Sequence, residues 1–110
     1  MKGILITSVE GKELQIKKIV KEIKDGDAEV QIFTCDMSLE SVSGLLESDS
    51  CFKVPICTSE DYVETIFSLC LGYNISRIIA MTEKEFIILS ANKEMFGKYG
   101  IEVKNSLVIK

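Results

Sequence analysis

The sequence predicts a three-layer α/β domain, αβα, around a mainly parallel five-stranded sheet. Three observations carry that expectation. Short apolar runs alternate with amphipathic helical stretches along the whole chain. The first run, Ile4 to Thr7, is apolar at nearly every position, as a strand covered on both faces must be. Hydrophobic residues make up 46% of the 110 positions, enough for one domain with one modest core.

The elements follow in order. From about Gly11 to Lys24 the apolar residues are Leu14, Ile16, Ile19, Val20 and Ile23. The last four repeat at i, i+3, i+4 and i+7, one helical stripe with lysines and glutamates opposite. Gly26 stands just past this helix, where a left-handed stop is common. Val30 to Thr34 is the second strand. Ser38 is placed to cap a short helix reaching about Leu46. Phe52 to Ile56 reads as a third strand, with Pro55 near its end. Thr58 and Asp61 have capping-box-like spacing, with aspartate replacing the usual glutamate. The helix they open runs to Leu71, with Val63, Ile66, Phe67 and Cys70 inward and Gly72 as its stop. Arg77 to Met81 is the fourth strand. Thr82 and Glu85 repeat the capping-box spacing and open a helix from about Glu83 to Tyr99, closed by Gly100. Ile101 to Lys104 is the fifth strand. No internal repeat, linker or low-complexity segment interrupts the series.

Composition excludes several functions. A net charge of −4 argues against a nucleic-acid partner, which needs a basic face. No apolar run approaches the roughly 18 residues of a membrane span. The first residues do not form a signal peptide, so a cytoplasmic location is expected. Cys35, Cys51, Cys57 and Cys70 include no Cys-x-x-Cys pair, and there is no histidine. Reduced, mostly buried thiols are therefore expected, rather than a metal site or a disulfide framework. Without histidine, the usual serine and cysteine triads are also excluded.

In open parallel sheets, ligands bind beyond the carboxyl ends of the strands, near the point where strand order reverses. That rule selects Ser8 to Lys12, Asp36 to Ser38, Pro55 to Ser59 and Met81 to Glu85. The turn after the first strand holds one glycine, Gly11, and lacks both the Gly-x-Gly-x-x-Gly and the Walker pattern. Glu10 beside the helix start suits the helix dipole and opposes a bound anion. This turn reads either as a helix start or as a weaker polar contact from Ser8 or a backbone amide. Asp36 follows the second strand, where dinucleotide-binding folds place an acid on ribose hydroxyls. Without the glycine pattern that role loses most of its support, and the residue reads first as a turn aspartate bonded to its own backbone. Glu83 and Glu85 are candidate acids or metal ligands, and also ordinary partners of a helix dipole. Lys12, Arg77 and Lys84 are isolated positive charges. The residues alone show no complete catalytic constellation.

The ordered set of segments is more specific. Asp36-Met37-Ser38, Val54-Pro55 and the run from Leu89 through Gly100 to Val103 stand in the order and spacing of one known module. With "ILITS", "TSEDYVE" and "RIIAMTEKE" they cover nearly the whole chain. It resembles the Rossmann-like, pre-ATP-grasp domain at the N-terminus of ligases similar to the carbamoyl-phosphate synthase large subunit. The resemblance implies a parent enzyme that activates a small carboxylate substrate as an acyl phosphate, which an amine then attacks. It implies ATP and Mg2+ held by an ATP-grasp domain of the same polypeptide, with no cofactor in this chain. It also implies that loops after the strands wall the acceptor side of the cleft, making Ser8, Gly11, Lys12, Asp36, Ser38, Thr82 and Glu85 the substrate-cleft candidates. Two turns depart from the pattern. Val9-Glu10-Gly11-Lys12 replaces an Ala-Gly and basic residue, and Ala80-Met81 replaces a proline followed by an acid.

The expectation is thus one pre-ATP-grasp-like domain over residues 1–110, the N-terminal fragment of a longer ligase and not catalytic alone. The alternative is a free-standing module of the same fold that binds a small polar ligand or a partner protein. A homodimer is left open. At the end of the chain, Ser106 is a good N-cap, and the resemblance implies that residues 107–110 begin a helix leading onward.

Overall fold

The computed structural model describes residues 3–7, 13–27, 29–36 and 50–105. The elements are β1 (Gly3–Thr7), α1 (Glu13–Gly26), β2 (Gln31–Asp36), β3 (Ser50–Lys53), α2 (Tyr62–Gly72), β4 (Ile75–Ala80), α3 (Glu83–Ser90), α4 (Lys93–Lys98) and β5 (Glu102–Asn105). The five strands form one sheet in the order β3-β2-β1-β4-β5. All four neighbouring pairs are parallel. The predicted fold class is therefore the observed one, and the strand order is that of a Rossmann-like sheet.

Central strand β1 is buried at all five positions. Its side chains alternate between two cores, because successive strand residues point to opposite faces. Ile4 and Ile6 pack with Ile32, Ile79 and the α1 residues Ile16 and Val20. Leu5 packs with Phe33, Ile78, the α2 residues Ile66 and Cys70, and Leu89 and Phe96 from α3 and α4. The apolar stripe of α1 is the predicted one, and Leu14, which falls off it, is 83% exposed. Each fully buried leucine or isoleucine contributes about 1.5–3 kcal/mol of transfer free energy, so the two cores supply most of the folding drive.

Several predicted boundaries move, each for a local reason. Gly26 is the last residue of α1, and among the described residues the only glycine with positive φ is Gly100. β2 continues through Asp36, so that residue ends a strand instead of sitting in a turn. β3 spans Ser50 to Lys53 and stops before Pro55, which has no N–H to give the ladder. Thr58 does not cap α2. Turns intervene, with the Ser59 N–H bonded to the Ile56 carbonyl and the Asp61 N–H to Ser59 Oγ, and the N-cap is Asp61. Gly72 lies inside α2, and Asn74 takes the left-handed conformation after it, at φ 56°. β4 begins two residues earlier than expected, at Ile75, and β5 is shifted to Glu102–Asn105.

The predicted single helix over 83–99 is two helices. Asn92 Nδ2 donates to the Ile88 carbonyl at 3.1 Å, which satisfies an orphan acceptor at the end of α3 and lets the chain turn into α4. Gly100, at φ 74°, closes α4 as expected. The Ile101 N–H reaches the Phe96 carbonyl and the Gly100 N–H the Gly97 carbonyl, the paired bonds of a Schellman motif. Arg77 is not isolated: it pairs with Glu102 at 3.5 Å, as Lys104 does at 3.6 Å, on an exposed surface where such pairs add little. Cys35 and Cys70 are buried reduced thiols and Cys57 is half-buried. Burial pushes the Cys70 thiol up to about 12. Among the described residues no helix is long and apolar enough to cross a membrane. The predicted short helix from Ser38, the turn at Ser8 to Lys12 and the terminal residues 106–110 lie outside the described residues, as does the side chain of Cys51.

Gly3 has a packing reason to be glycine. A Cβ there would stand 2.8 Å from Cε2 of Phe33, beside an irregularity in the β1–β4 register. Gly97, by contrast, has open space around its Cβ position in a helix. Gly3→Ala is expected to lower urea stability by about 1–3 kcal/mol through overpacking. Gly97→Ala is expected to raise it by up to about 1 kcal/mol through helix propensity. Equal effects of the two substitutions would show that the Phe33 contact does not constrain Gly3.

Candidate functional site

The strand order sets where a crevice opens. From β1 the chain runs through α1 to β2 and β3 on one side, then crosses to β4 and β5 on the other. The connections of β1 and β4 therefore diverge to opposite faces, leaving room beyond the carboxyl ends of these neighbouring strands. A cavity of about 250 Å3 lies at this end, lined by Asp36, Val54, Pro55, Ile56, Cys57, Thr82, Lys84 and Glu85. Asp36 arrives on the end of β2, and Val54 to Cys57 on the segment after β3. Thr82, Lys84 and Glu85 come from the N-cap and first turn of α3.

Glu85 is the centre of the arrangement and is only 4% exposed. Its Oε1 accepts from Thr7 Oγ1 at 3.0 Å and from Thr82 Oγ1 at 3.1 Å. Its Oε2 accepts from the Tyr62 hydroxyl at 2.5 Å. Its own N–H donates to Thr82 Oγ1 at 3.2 Å, the N-cap bond anticipated from the Thr82–Glu85 spacing. Thr7 Oγ1 also accepts weakly from the Met81 N–H, at 3.4 Å. Three hydroxyls from β1, α2 and the α3 cap thus converge on one carboxylate. Burial, and then the charge of Glu85, hold the Tyr62 phenol far above the usual tyrosine range. Tyr62 is therefore the proton donor of this bond at every physiological pH.

Of the predicted site residues, Asp36, Thr82 and Glu85 come together on this one cavity. Ser8, Gly11, Lys12 and Ser38 lie outside the described residues. Glu83 is exposed on the first turn of α3, where it serves the helix dipole. Both Asp36 and Glu85 are buried, and Lys84 is exposed. Two buried carboxylates and an acidic first turn make the cavity a poor seat for a polyphosphate. Sequence reasoning missed Thr7 and Tyr62. Thr7 was visible as a hydroxyl ending an otherwise apolar strand. Tyr62 stands four and eight residues before Ile66 and Cys70, so it extends the buried stripe of α2 by one turn.

The family model described as "PylC-like, N-terminal domain" matches residues 4–104. None of the curated proteins matches the chain. Among solved structures, a dTDP-glucose 4,6-dehydratase from Bacillus anthracis str. Ames, determined in complex with NAD, is similar with a TM-score of 0.63 at 15% identity. The alignment covers 96% of this chain and 37% of that one, so this chain spans little more than a third of the dehydratase. At that identity the likeness concerns the fold.

The Tyr62–Glu85 pair predicts an alkaline signature. A phenol whose folded pKa is raised favours the fold fully below its unfolded value of 10.0, and that contribution is lost as pH rises above it. Urea midpoints of the parent chain and Tyr62→Phe should differ by a constant amount between pH 7 and 9. The gap should close above pH 10, by up to about 1.4 kcal/mol per pH unit. A gap that stays constant to the alkaline limit would mean Tyr62 does not hold its proton in the fold.

Proposed function

Because the chain belongs to the PylC-like N-terminal domain family, whose members are Rossmann-like lobes of ATP-grasp ligases, we propose that it forms the substrate-side lobe of a carboxylate–amine ligase similar to the carbamoyl-phosphate synthase large subunit. The observation that carries this reading is the family match over residues 4–104, together with a cavity at the carboxyl ends of the central strands. On this reading the lobe is not catalytic alone. An ATP-grasp domain of the same cytoplasmic polypeptide holds ATP and Mg2+. The γ-phosphoryl group passes to the small carboxylate substrate, releasing ADP. An amine then attacks the acyl phosphate, forming the amide bond and releasing inorganic phosphate and a proton.

The residues of this chain bind and orient; they do not move the phosphoryl group. Asp36 and Lys84 supply opposite charges at one cavity, and Val54, Pro55 and Ile56 supply an apolar wall. Glu85 is committed to its three hydroxyl donors, so it shapes the cavity and has little acceptor capacity left for a ligand. The acidic lining supports placing the nucleotide elsewhere.

Two measurements test the proposal. Calorimetric titration of this chain with magnesium-ATP is expected to show no saturable binding at micromolar concentrations. In the full-length ligase, Asp36→Asn is expected to raise the KM of the carboxylate or amine substrate by about tenfold or more, as loss of a charged contact does, and to leave the KM of ATP unchanged. Micromolar ATP binding by the lobe, or an Asp36→Asn effect confined to ATP, would overturn the assignment.

A further inference from the structure

The cavity has two unlike walls. Thr82, Lys84 and Glu85 form one, and it is fixed: Glu85 is tied to central strand β1 through Thr7 and to its own helix cap through Thr82. The opposite wall is the segment 54–61 between β3 and α2, which carries Pro55, Ile56 and Cys57 against the cavity. This segment is anchored where it begins, by the Val54 N–H on the Asp36 carbonyl at 2.9 Å and by the buried Val54 side chain. Beyond that point, among the described residues, its hydrogen bonds are turns within itself and two bonds to the start of α2, from the Tyr62 N–H to the Ser59 carbonyl and from the Thr65 N–H to the Asp61 carbonyl. Ser59 N–H reaches the Ile56 carbonyl, and Asp61 N–H reaches Ser59 Oγ. Ile56 leaves 52% of its surface in solvent. The helix that follows has Asp61 as its N-cap with no side-chain cap bond, so its first turn is held to the segment by backbone bonds alone. What crosses from the far end of the segment to the fixed wall is the Tyr62 side chain, 1% exposed, whose hydroxyl donates to Glu85.

We propose that segment 54–61 is a movable wall of the cavity and that the Tyr62–Glu85 hydrogen bond is the latch that holds it closed. The segment is anchored at Val54, and the latch acts at its opposite end. Opening breaks that bond and draws Tyr62 and Cys57 from the edge of one core, while the sheet and the other core stay intact. A ligand filling the cavity touches both walls, so occupancy and latch closure favour each other by linkage. This coupling is independent of the ligase reading and holds for any molecule the cavity takes.

Cys57 reports the wall directly, because it lines the cavity and is half-buried at the edge of the core in which Cys35 and Cys70 are fully buried. Alkylation with iodoacetamide, mapped by peptide mass, should be compared in the parent chain, Tyr62→Phe and Thr82→Val. Tyr62→Phe keeps the ring and removes the latch. Thr82→Val removes two bonds, both on the fixed wall. The expected result is Cys57 modification faster by about tenfold or more in Tyr62→Phe, the scale of one hydrogen bond to a charged acceptor, with Cys35 and Cys70 unchanged. Thr82→Val should leave Cys57 near its parent rate. An unchanged Cys57 rate in Tyr62→Phe, or parallel acceleration of all three thiols, would overturn the proposal; the latter would make the bond a support of the whole fold. Amide exchange in the parent chain gives a test that needs no variant. The Ser59 and Tyr62 amides should exchange through an opening well short of the one that exposes Ile79. Exchange of all three through the same global event would show that the wall does not move separately.

Discussion

A carboxylate that is 4% exposed and bonded to three hydroxyls is the constraint around which this fold is arranged. Burying an ionised carboxylate costs several kcal/mol unless its lone pairs are satisfied. Here the donors come from three different elements: the end of the central strand, the start of α2 and the cap of α3. The solvation lost by one group is thus recovered only if three backbone elements arrive in the right places. Among the described residues no buried side-chain nitrogen or oxygen lacks a hydrogen-bond partner, so the network is complete. A complete network rigidifies its surroundings, and a partly satisfied one would be worse than an apolar core.

That constraint sits where a parallel sheet of this order offers a ligand site, and it decides what the site can do. Glu85 spends most of its acceptor capacity on the protein, and the cavity's other polar side chains include Asp36, Lys84 and the half-buried thiol of Cys57. The first turn of α3 carries Glu83 and Glu85, which neutralise the dipole that would otherwise attract a phosphate. The similar NAD-bound dehydratase shares the fold at 15% identity. The sequence after β1, Ser8 to Lys12, however, lacks the glycine pattern that brings backbone against a pyrophosphate. Membership in the PylC-like N-terminal domain family accords with this Rossmann-like sheet.

Much of the fold was legible in the sequence because parallel strands buried on both faces are almost uninterrupted apolar runs. Ile4 to Thr7 and Ile78 to Ala80 announce themselves in that way. The helical stripe of α1, the Thr82–Glu85 cap and the Gly100 stop were equally local, and local signals survive into structure. What could not be read depends on distance. Nothing near Asn92 in the chain shows that its amide will find the Ile88 carbonyl and break a helix. Asp36 looked like a turn residue until β3 paired beside it and the Val54 N–H extended the ladder. Asp36, Thr82 and Glu85 were selected by the rule about strand ends, but their shared cavity depends on the crossing from β3 to β4. Tyr62 and Glu85 are 23 residues apart, and only the packed fold makes them a pair.

The central claim is that Thr7 and Tyr62, on different elements, act on one carboxylate. A double-mutant cycle measures this directly, using Thr7→Val, Tyr62→Phe and the double variant in urea unfolding. Residues that share a network show interaction energies of about 0.5–3 kcal/mol. The cycle is predicted to give at least about 1 kcal/mol of coupling through Glu85. Additivity within about 0.3–0.5 kcal/mol, the behaviour of independent sites, would contradict the account.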